Sequence, residues 1–311
     1  MRSTAFAAAN SRIATRAALA SVSLALFLLV AKAWAAHTTS STAMLGSLAD
    51  TTLDLVASLT TLAGVRIAAL PADHDHRFGH GKAEALVALA QVVLIAVSAI
   101  GIGWRSVDRL INGAQTSDLE LGVGVSVLAI AATLALLWYQ KRVIARTGSV
   151  AIRTDNVHYK SDLMLNGAVI AALLLDQSAG IAGADAAFGL AIALWLAWGA
   201  FRASNEAVNQ LMDREWPDEE REAFLAAAAN YPELSGLHDF RTRTSGNLRF
   251  VQFHVWVPAD WTVKEAHDRL DQAEEALQRQ FPGTEILIHV DPEGQTDRST
   301  LLPPAITERA G

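Results

Sequence analysis

Apolar residues fall into six long runs before residue 211 and into short, patterned groups after it. The runs lie near 13–36, 42–70, 83–111, 119–145, 150–175 and 181–208. Each is long enough to cross a hydrocarbon core of about 30 Å, which takes about 20 helical residues. Runs two, three and six exceed that length, so their ends are expected to tilt or to project into water. The Ala-rich stretch 31–36 offers sites for cleavage of a signal peptide, but the first run is too long for a signal h-region. It reads as a first transmembrane helix.

Past Leu211 the pattern shortens. Pro217, Asp218, Glu219 and Glu220 make a helix start, with proline and acids in the first turn, and an Ala-rich helix follows to Asn230. Residues 237–244 and 248–257 read as strands joined by Ser245, Gly246 and Asn247, a hairpin signal. Val263 to Phe281 is an amphipathic helix with Leu270, Ala273 and Leu277 on one face, and Glu285 to Val290 is a short apolar strand. The expected fold is a six-helix α-helical membrane protein plus a small α+β, ferredoxin-like domain of order α-β-β-α-β. The boundaries are an N-terminal segment 1–12, a membrane domain 13–210, a soluble domain 211–292 and a disordered tail 293–311. About 80 residues bury only a modest core, so dimerisation or a bound metal would help the soluble domain.

Charge sets the orientation. Arg2, Arg12 and Arg16 precede the first run, Arg77 and Lys82 sit in the loop 71–82, and Lys141, Arg142, Arg146 and Arg153 lie near 141–153. The alternate connections near 37–41, 112–118 and 176–180 have no Lys or Arg. By the positive-inside rule both termini are expected in the cytoplasm. Overall, 51% of residues are hydrophobic and 18% charged, below the roughly 25% of soluble domains. There is no cysteine, so neither disulfides nor thiolate ligation enters, and any metal must sit on His, Asp or Glu. A net charge of -7 disfavours a nucleic-acid partner and fits cation handling.

The candidate chemistry lies inside the apolar runs. Asp50 and Asp54 are four residues apart in the second run, one helical turn above each other. Each ionised Asp at the bilayer centre would cost about 2.5–3.5 kcal/mol on insertion scales, so an intramembrane pair is a functional hypothesis by default. Lys32 and Arg66 lie towards the ends of their runs, which leaves His158 and Asp162 in the fifth run, with the same spacing, as natural partners. Facing helices would bring three carboxylates and one imidazole together, enough for a four-coordinate divalent metal. Protons would compete with the metal for the same atoms, which is the basis for exchanging one for the other.

Two further clusters lie outside the apolar runs. The loop from Pro71 to Glu84 holds Asp73, His74, Asp75, His76 and His80. Asp73, His76 and His80 fall at spacings of three and four, so a turning backbone would bring them together. In the soluble domain His238, His254, His267, His289 and Asp291 form a second candidate site. His289 and Asp291 lie two apart on the last strand, hence on one face.

These segments carry a resemblance. Ser47 to Asp54, the Pro71 to Glu84 loop, His158 to Asp162, Asp213-Arg214, His238 to Arg243 and Ile288 to Pro292 follow in order across nearly the whole chain. The chain resembles a bacterial cation diffusion facilitator of the zinc and ferrous-iron efflux subgroup. The resemblance implies a homodimer exchanging metal for protons by alternating access, with a transport site of Asp50, Asp54, His158 and Asp162. It further implies a loop site of Asp73, His76 and His80. The soluble domain would carry a binuclear site of His238, His254, His267, His289 and Asp291, with one residue bridging. Lys82 and Asp213 would form the salt bridge that holds the dimer near the membrane surface. His74 beside Asp73 departs from the subgroup and leaves the loop ligands open. One nitrogen with three carboxylates suits zinc in tetrahedral form, and ferrous iron and cadmium stay open, while manganese favours more oxygen. The competing classes are a metal sensor or scaffold and a membrane metalloenzyme. The last lacks a His-Glu-x-x-His motif and any Glu near the intramembrane ligands.

Overall fold

The computed structural model describes residues 2–39, 42–112, 123–179 and 184–295. The chain divides into two compact units, Asn10–Leu211, and Met212–Gly311 together with Met1–Ala9. Six long helices come first: α1 (Arg2–Thr39), α2 (Thr42–Ala68), α3 (Ala83–Asn112), α4 (Val123–Thr147), α5 (Val150–Ala179) and α6 (Ala184–Leu211). The first helix starts about three turns before the apolar run that announces it, through a segment that holds Ala5, Ala7, Ala8 and Ala9, the best helix former, and neither Gly nor Pro. Residues 40–41, the connection 113–122 with the start of the fourth expected run, and residues 180–183 lie outside the described residues.

Among the described residues, four stretches are long and apolar enough to cross a membrane by length and composition: 8–34, 83–112, 128–147 and 186–211. α2 and α5 are not among them. They carry Asp50, Asp54 and Arg66, and Arg153, Asp155, His158, Lys160 and Asp162.

Small residues let these helices approach closely, as in membrane packing generally. Ala14, Ala17 and Ala18 of α1 meet Leu62 and Val65 of α2, Val143 of α4, and Ala151 and Ile152 of α5. α3 packs on α6 through Ile95, Ala99, Ile192, Leu196 and Ala200. Large apolar side chains such as Val97, Ile100 and Trp104 of α3 and Leu194 and Trp198 of α6 face outward, the surface a lipid environment requires.

In the second unit, α7 (Asp218–Ala228) and a single 3-10 turn (Pro232–Leu234) lead to β1 (His238–Ser245), β2 (Leu248–Val257), α8 (Val263–Gln280) and β3 (Thr284–Pro292). β1 and β2 are antiparallel, joined by a two-residue turn in which Gly246 takes φ 58°. β2 and β3 are parallel, with α8 as the crossover the parallel pairing demands, giving sheet order β1-β2-β3. α8 starts at a capping box: Glu265 N–H donates to Thr262 Oγ1 and Thr262 N–H to the Glu265 carboxylate. The Thr262 backbone N–H, helped by the Thr262 hydroxyl, holds the Glu265 carboxyl below its ordinary range. Ala266, Leu270, Ala273 and Leu277 bury one face of α8, and Phe224 of α7 stands at the centre of the core against Phe240, Phe253 and Phe281. Of the expected tail, Glu293–Gln295 are described and close onto β2 through Trp256 Nε1, which donates to the Gln295 carbonyl. The rest of it lies outside the described residues.

Candidate metal centres

The membrane unit brings α2 and α5 together along a ladder of polar side chains. His158 Nε2 lies 3.0 Å from Asp54 Oδ1 and 3.9 Å from Asp162 Oδ2. Asp54, His158 and Asp162 offer ligand atoms that all lie within 4.8 Å of one another, with the imidazole buried and both carboxylates half-buried. Asp50, one turn earlier on α2, is exposed and is not part of this group of three. Lys32 of α1 reaches across to donate to Thr51 Oγ1 at 2.6 Å. Lys160, on the same helix as His158, is exposed.

Next to this trio is a fully buried carboxylate that sequence reasoning missed. Asp155 is 0% exposed. Its Oδ2 accepts from Ser21 Oγ of α1 and from Gln140 Nε2 of α4, both at 2.7 Å, and its Oδ1 accepts from Thr61 Oγ1 of α2 at 3.4 Å. Asn156 donates to Gln140 Oε1, the Tyr159 hydroxyl donates to the Ser21 carbonyl at 3.0 Å, and Ser58 Oγ lies 2.9 Å from the same hydroxyl. Gln91 of α3 closes the set by donating to Thr61 Oγ1. A sequence signal existed: a second carboxylate in the fifth run besides Asp162, three residues before His158 and so on the same side of the helix.

The loop after α2 turns on Asp73. Its Oδ1 accepts from the backbone N–H of Asp75 at 3.0 Å and of His76 at 2.6 Å, an Asx turn. Gly79, at φ 77°, lets the chain double back. His80 Nε2 then lies 3.3 Å from Asp73 Oδ2, and the rings of His76 and His80 are 4.5 Å apart. Asp73, His76 and His80 form a second group of ligand-capable atoms within 4.8 Å. The His76 backbone bond is the main reason the Asp73 carboxyl titrates below its ordinary value, which keeps it ionised for a cation. His74 and Asp75 are exposed and face each other outside the group.

The third group is built on the sheet. His238 pairs with His254 across β1 and β2, and His254 pairs with His289 across β2 and β3, so three imidazoles stand in a row. A bulge after His238, with Asp239 at φ 48°, accompanies this arrangement. Asp291 is buried beneath them: its Oδ2 lies 3.1 Å from His238 Nε2 and 3.0 Å from His254 Nδ1, and its Oδ1 lies 3.5 Å from His289 Nε2. His238, His254 and Asp291 form the compact group, with His289 on its rim. His267, on α8, is exposed and is not part of it. Lys82 Nζ donates to the Leu211 carbonyl at 3.1 Å, and Asp213 lies 3.7 Å from Arg243 Nη1; the two residues belong to different units.

Carboxylate and imidazole oxygens and nitrogens at these spacings are the donor sets of borderline divalent cations. Comparison with known proteins decides the setting. The cation efflux transmembrane domain matches residues 18–212, and the cation efflux protein cytoplasmic domain matches residues 216–293. The chain belongs to the cation efflux family. It is 42% identical to the cation-efflux pump FieF of Salmonella arizonae over 281 residues, 90% of this chain and 93% of that protein. The FieF of Salmonella agona shows the same identity and coverage. A solved chain assigned as the zinc transporter CzrB, in a zinc form, is 40% identical, covering 28% of this chain and 99% of its own, with a TM-score of 0.25. The cation efflux protein is thus a membrane transporter of metal cations, rather than a catalytic enzyme, with a helical membrane domain and a small C-terminal α/β domain.

Proposed function

We propose that this cation efflux protein exports zinc from the cytoplasm in exchange for protons, with ferrous iron and cadmium as alternative cargo. It works as a homodimer in the bacterial inner membrane, with both termini cytoplasmic, by alternating exposure of one site in each protomer. The observation that carries this reading is the trio Asp54, His158 and Asp162, held within 4.8 Å on two membrane helices. Asp50, one turn away, supplies a third carboxylate, the fourth ligand, once α2 adjusts about a cation. Three carboxylates over-compensate a dication, so protons return to the site as the metal leaves. The loop group receives cytoplasmic metal. The sheet group, with His267 joining it, binds metal that steadies the dimer, and Lys82 with Asp213 braces the protomers at the membrane surface.

Proteoliposomes with an imposed pH gradient test this. Zinc flux is expected to follow the gradient and to fall to background in His158→Ala and Asp162→Ala. Zinc binding without gradient-driven flux in the unmodified protein would favour a sensor or scaffold instead. His158→Asp makes the set all-carboxylate and is expected to move selectivity from zinc towards manganese.

A further inference from the structure

The hydrogen bonds that join α2 to α5 fall in a fixed order. Thr61 meets Asp155, Ser58 meets Tyr159, and Asp54 meets His158, so the α2 number falls from 61 to 54 while the α5 partners move from 155 to the adjacent pair 158 and 159. The helices therefore run antiparallel here; steps of three and four put Thr61, Ser58 and Asp54 on one face of α2, and on α5 Asp155 lies three residues before His158 and four before Tyr159. Only the last rung belongs to the cation trio. The other two are braced from outside: Ser21 and Gln140 hold Asp155, the Ser21 carbonyl holds Tyr159, and Gln91 holds Thr61. Ser21, Ser58, Thr61, Gln140 and Asp155 are each 0% exposed.

A buried polar group separated from its partner has no water to turn to, so it is left unsatisfied at full cost. A slip of one helical turn between α2 and α5, about 5.4 Å, would orphan both braced rungs at once. The oxygens of Asp155 are already filled by Ser21, Gln140 and Thr61, so this carboxylate orients and does not ligate. We propose that Asp155 and Tyr159 are positioning residues for the cation site: their rungs fix the register of α2 on α5 and thereby the spacing of Asp54 from His158 and Asp162. The proposal rests on the reading of that trio as the cargo site.

The test uses the full chain in detergent, with the other two groups silenced by His80→Ala and Asp291→Ala, titrated with zinc and with manganese. Asp155→Asn and Tyr159→Phe are each expected to weaken zinc about tenfold, the usual effect of removing an outer support of a metal site. Manganese, which tolerates looser geometry, should weaken less, so the zinc-to-manganese ratio falls. Ser58→Ala breaks the same rung but leaves Tyr159 on the Ser21 carbonyl, so it should weaken zinc no more than Tyr159→Phe, and the pair together should be no worse than Tyr159→Phe alone. Unchanged zinc affinity in these variants, with binding abolished by His158→Ala, overturns the positioning role and leaves the cargo reading standing. An equal loss for both metals that tracks a fall in thermal stability also overturns it. Zinc binding that survives His158→Ala defeats the cargo reading itself. Should Asp155→Asn fail to fold, Tyr159→Phe and Ser58→Ala, each lacking a single hydroxyl, carry the test.

Discussion

The membrane trio and the sheet cluster use the same functional groups on different mounts. In the C-terminal domain, His238, His254 and His289 stand in a row because backbone hydrogen bonds hold three strands in register. A one-residue slip would turn the imidazoles to the opposite face, so the register that builds the core also builds the site. Asp54, His158 and Asp162 sit on two helices whose own backbone bonds are satisfied internally, and only side chains join one helix to the other. Strand-mounted ligands stay where they are when the cation leaves. Helix-mounted ligands part as soon as the helices slide or tilt. A site that must open to two sides needs the second kind of mount, and a site that holds a metal in place is better served by the first.

The largest effect should come from removing the carboxylate at the centre of the rigid cluster. Asp291 touches three imidazoles, and Asp291→Ala is expected to lower the metal affinity of the C-terminal domain by about 100-fold. Because the strands do not depend on it, metal-free thermal stability should change little, and gradient-driven zinc flux at saturating zinc should persist. Calorimetric titration and flux on the same preparation read both. Loss of flux equal to the loss of binding would put the sheet cluster on the transport path and erase the contrast between the mounts.

A smaller effect should follow from disturbing helix contact in the membrane unit without touching any ligand. Gly64 of α2 faces Val87 of α3 so closely that an added Cβ would stand 2.5 Å from Val87 Cγ2 and 2.8 Å from its Cβ. Gly64→Ala overpacks this crossing and should cost about 1–3 kcal/mol. Trimming the neighbour in a Gly64→Ala/Val87→Ala pair should restore most of it. The two sites are coupled, so a simple sum of single effects is not expected. If Gly64→Ala melts at the same temperature as the unmodified protein, the helices adjust more freely than a packing-dependent mount allows.

What could be read before folding follows the same division. Hydrophobic runs and the order α-β-β-α-β were legible because each depends on residues close in sequence. His289 and Asp291 were legible as a pair through strand alternation. The partnership of His238, His254 and His289 depended on register, set by the turn at Gly246 and the bulge beside Asp239, which alternation does not specify. Asp155 was missed for a related reason: its donors Ser21, Thr61 and Gln140 come from three other helices, and Ser21 is 134 residues away in the chain. Nothing in an apolar run states how far a helix is rotated. The same gap separates Asp50 from Asp54, since a spacing of four places both on one side of α2 without saying which of them turns inward.

The smallest effect is electrostatic and belongs to the sheet side. Partial burial raises the Glu274 carboxyl above its ordinary value, and Asp271 and Glu285 add to the shift. A carboxyl whose folded value is raised contributes stability only while it is protonated: the contribution is present below the unfolded value and is lost as pH rises through the folded one. At neutral pH the charged form is therefore a small liability, reduced by the solvent that reaches it. Glu274→Gln removes the charge and keeps an oxygen for Gln278, which donates to the carboxylate at 2.9 Å in the unmodified protein. It should slow amide exchange in α8 at neutral pH by an amount worth a few tenths of a kcal/mol. The gain should vanish at pH values below the ordinary carboxylate range, where both proteins are neutral at this position. An equal gain at both ends of the pH range would mean that the substitution acts through packing of α8 on the sheet. The rigidity of that mount would then owe less to strand register, and more to the helix lying across it, than the row of imidazoles suggests.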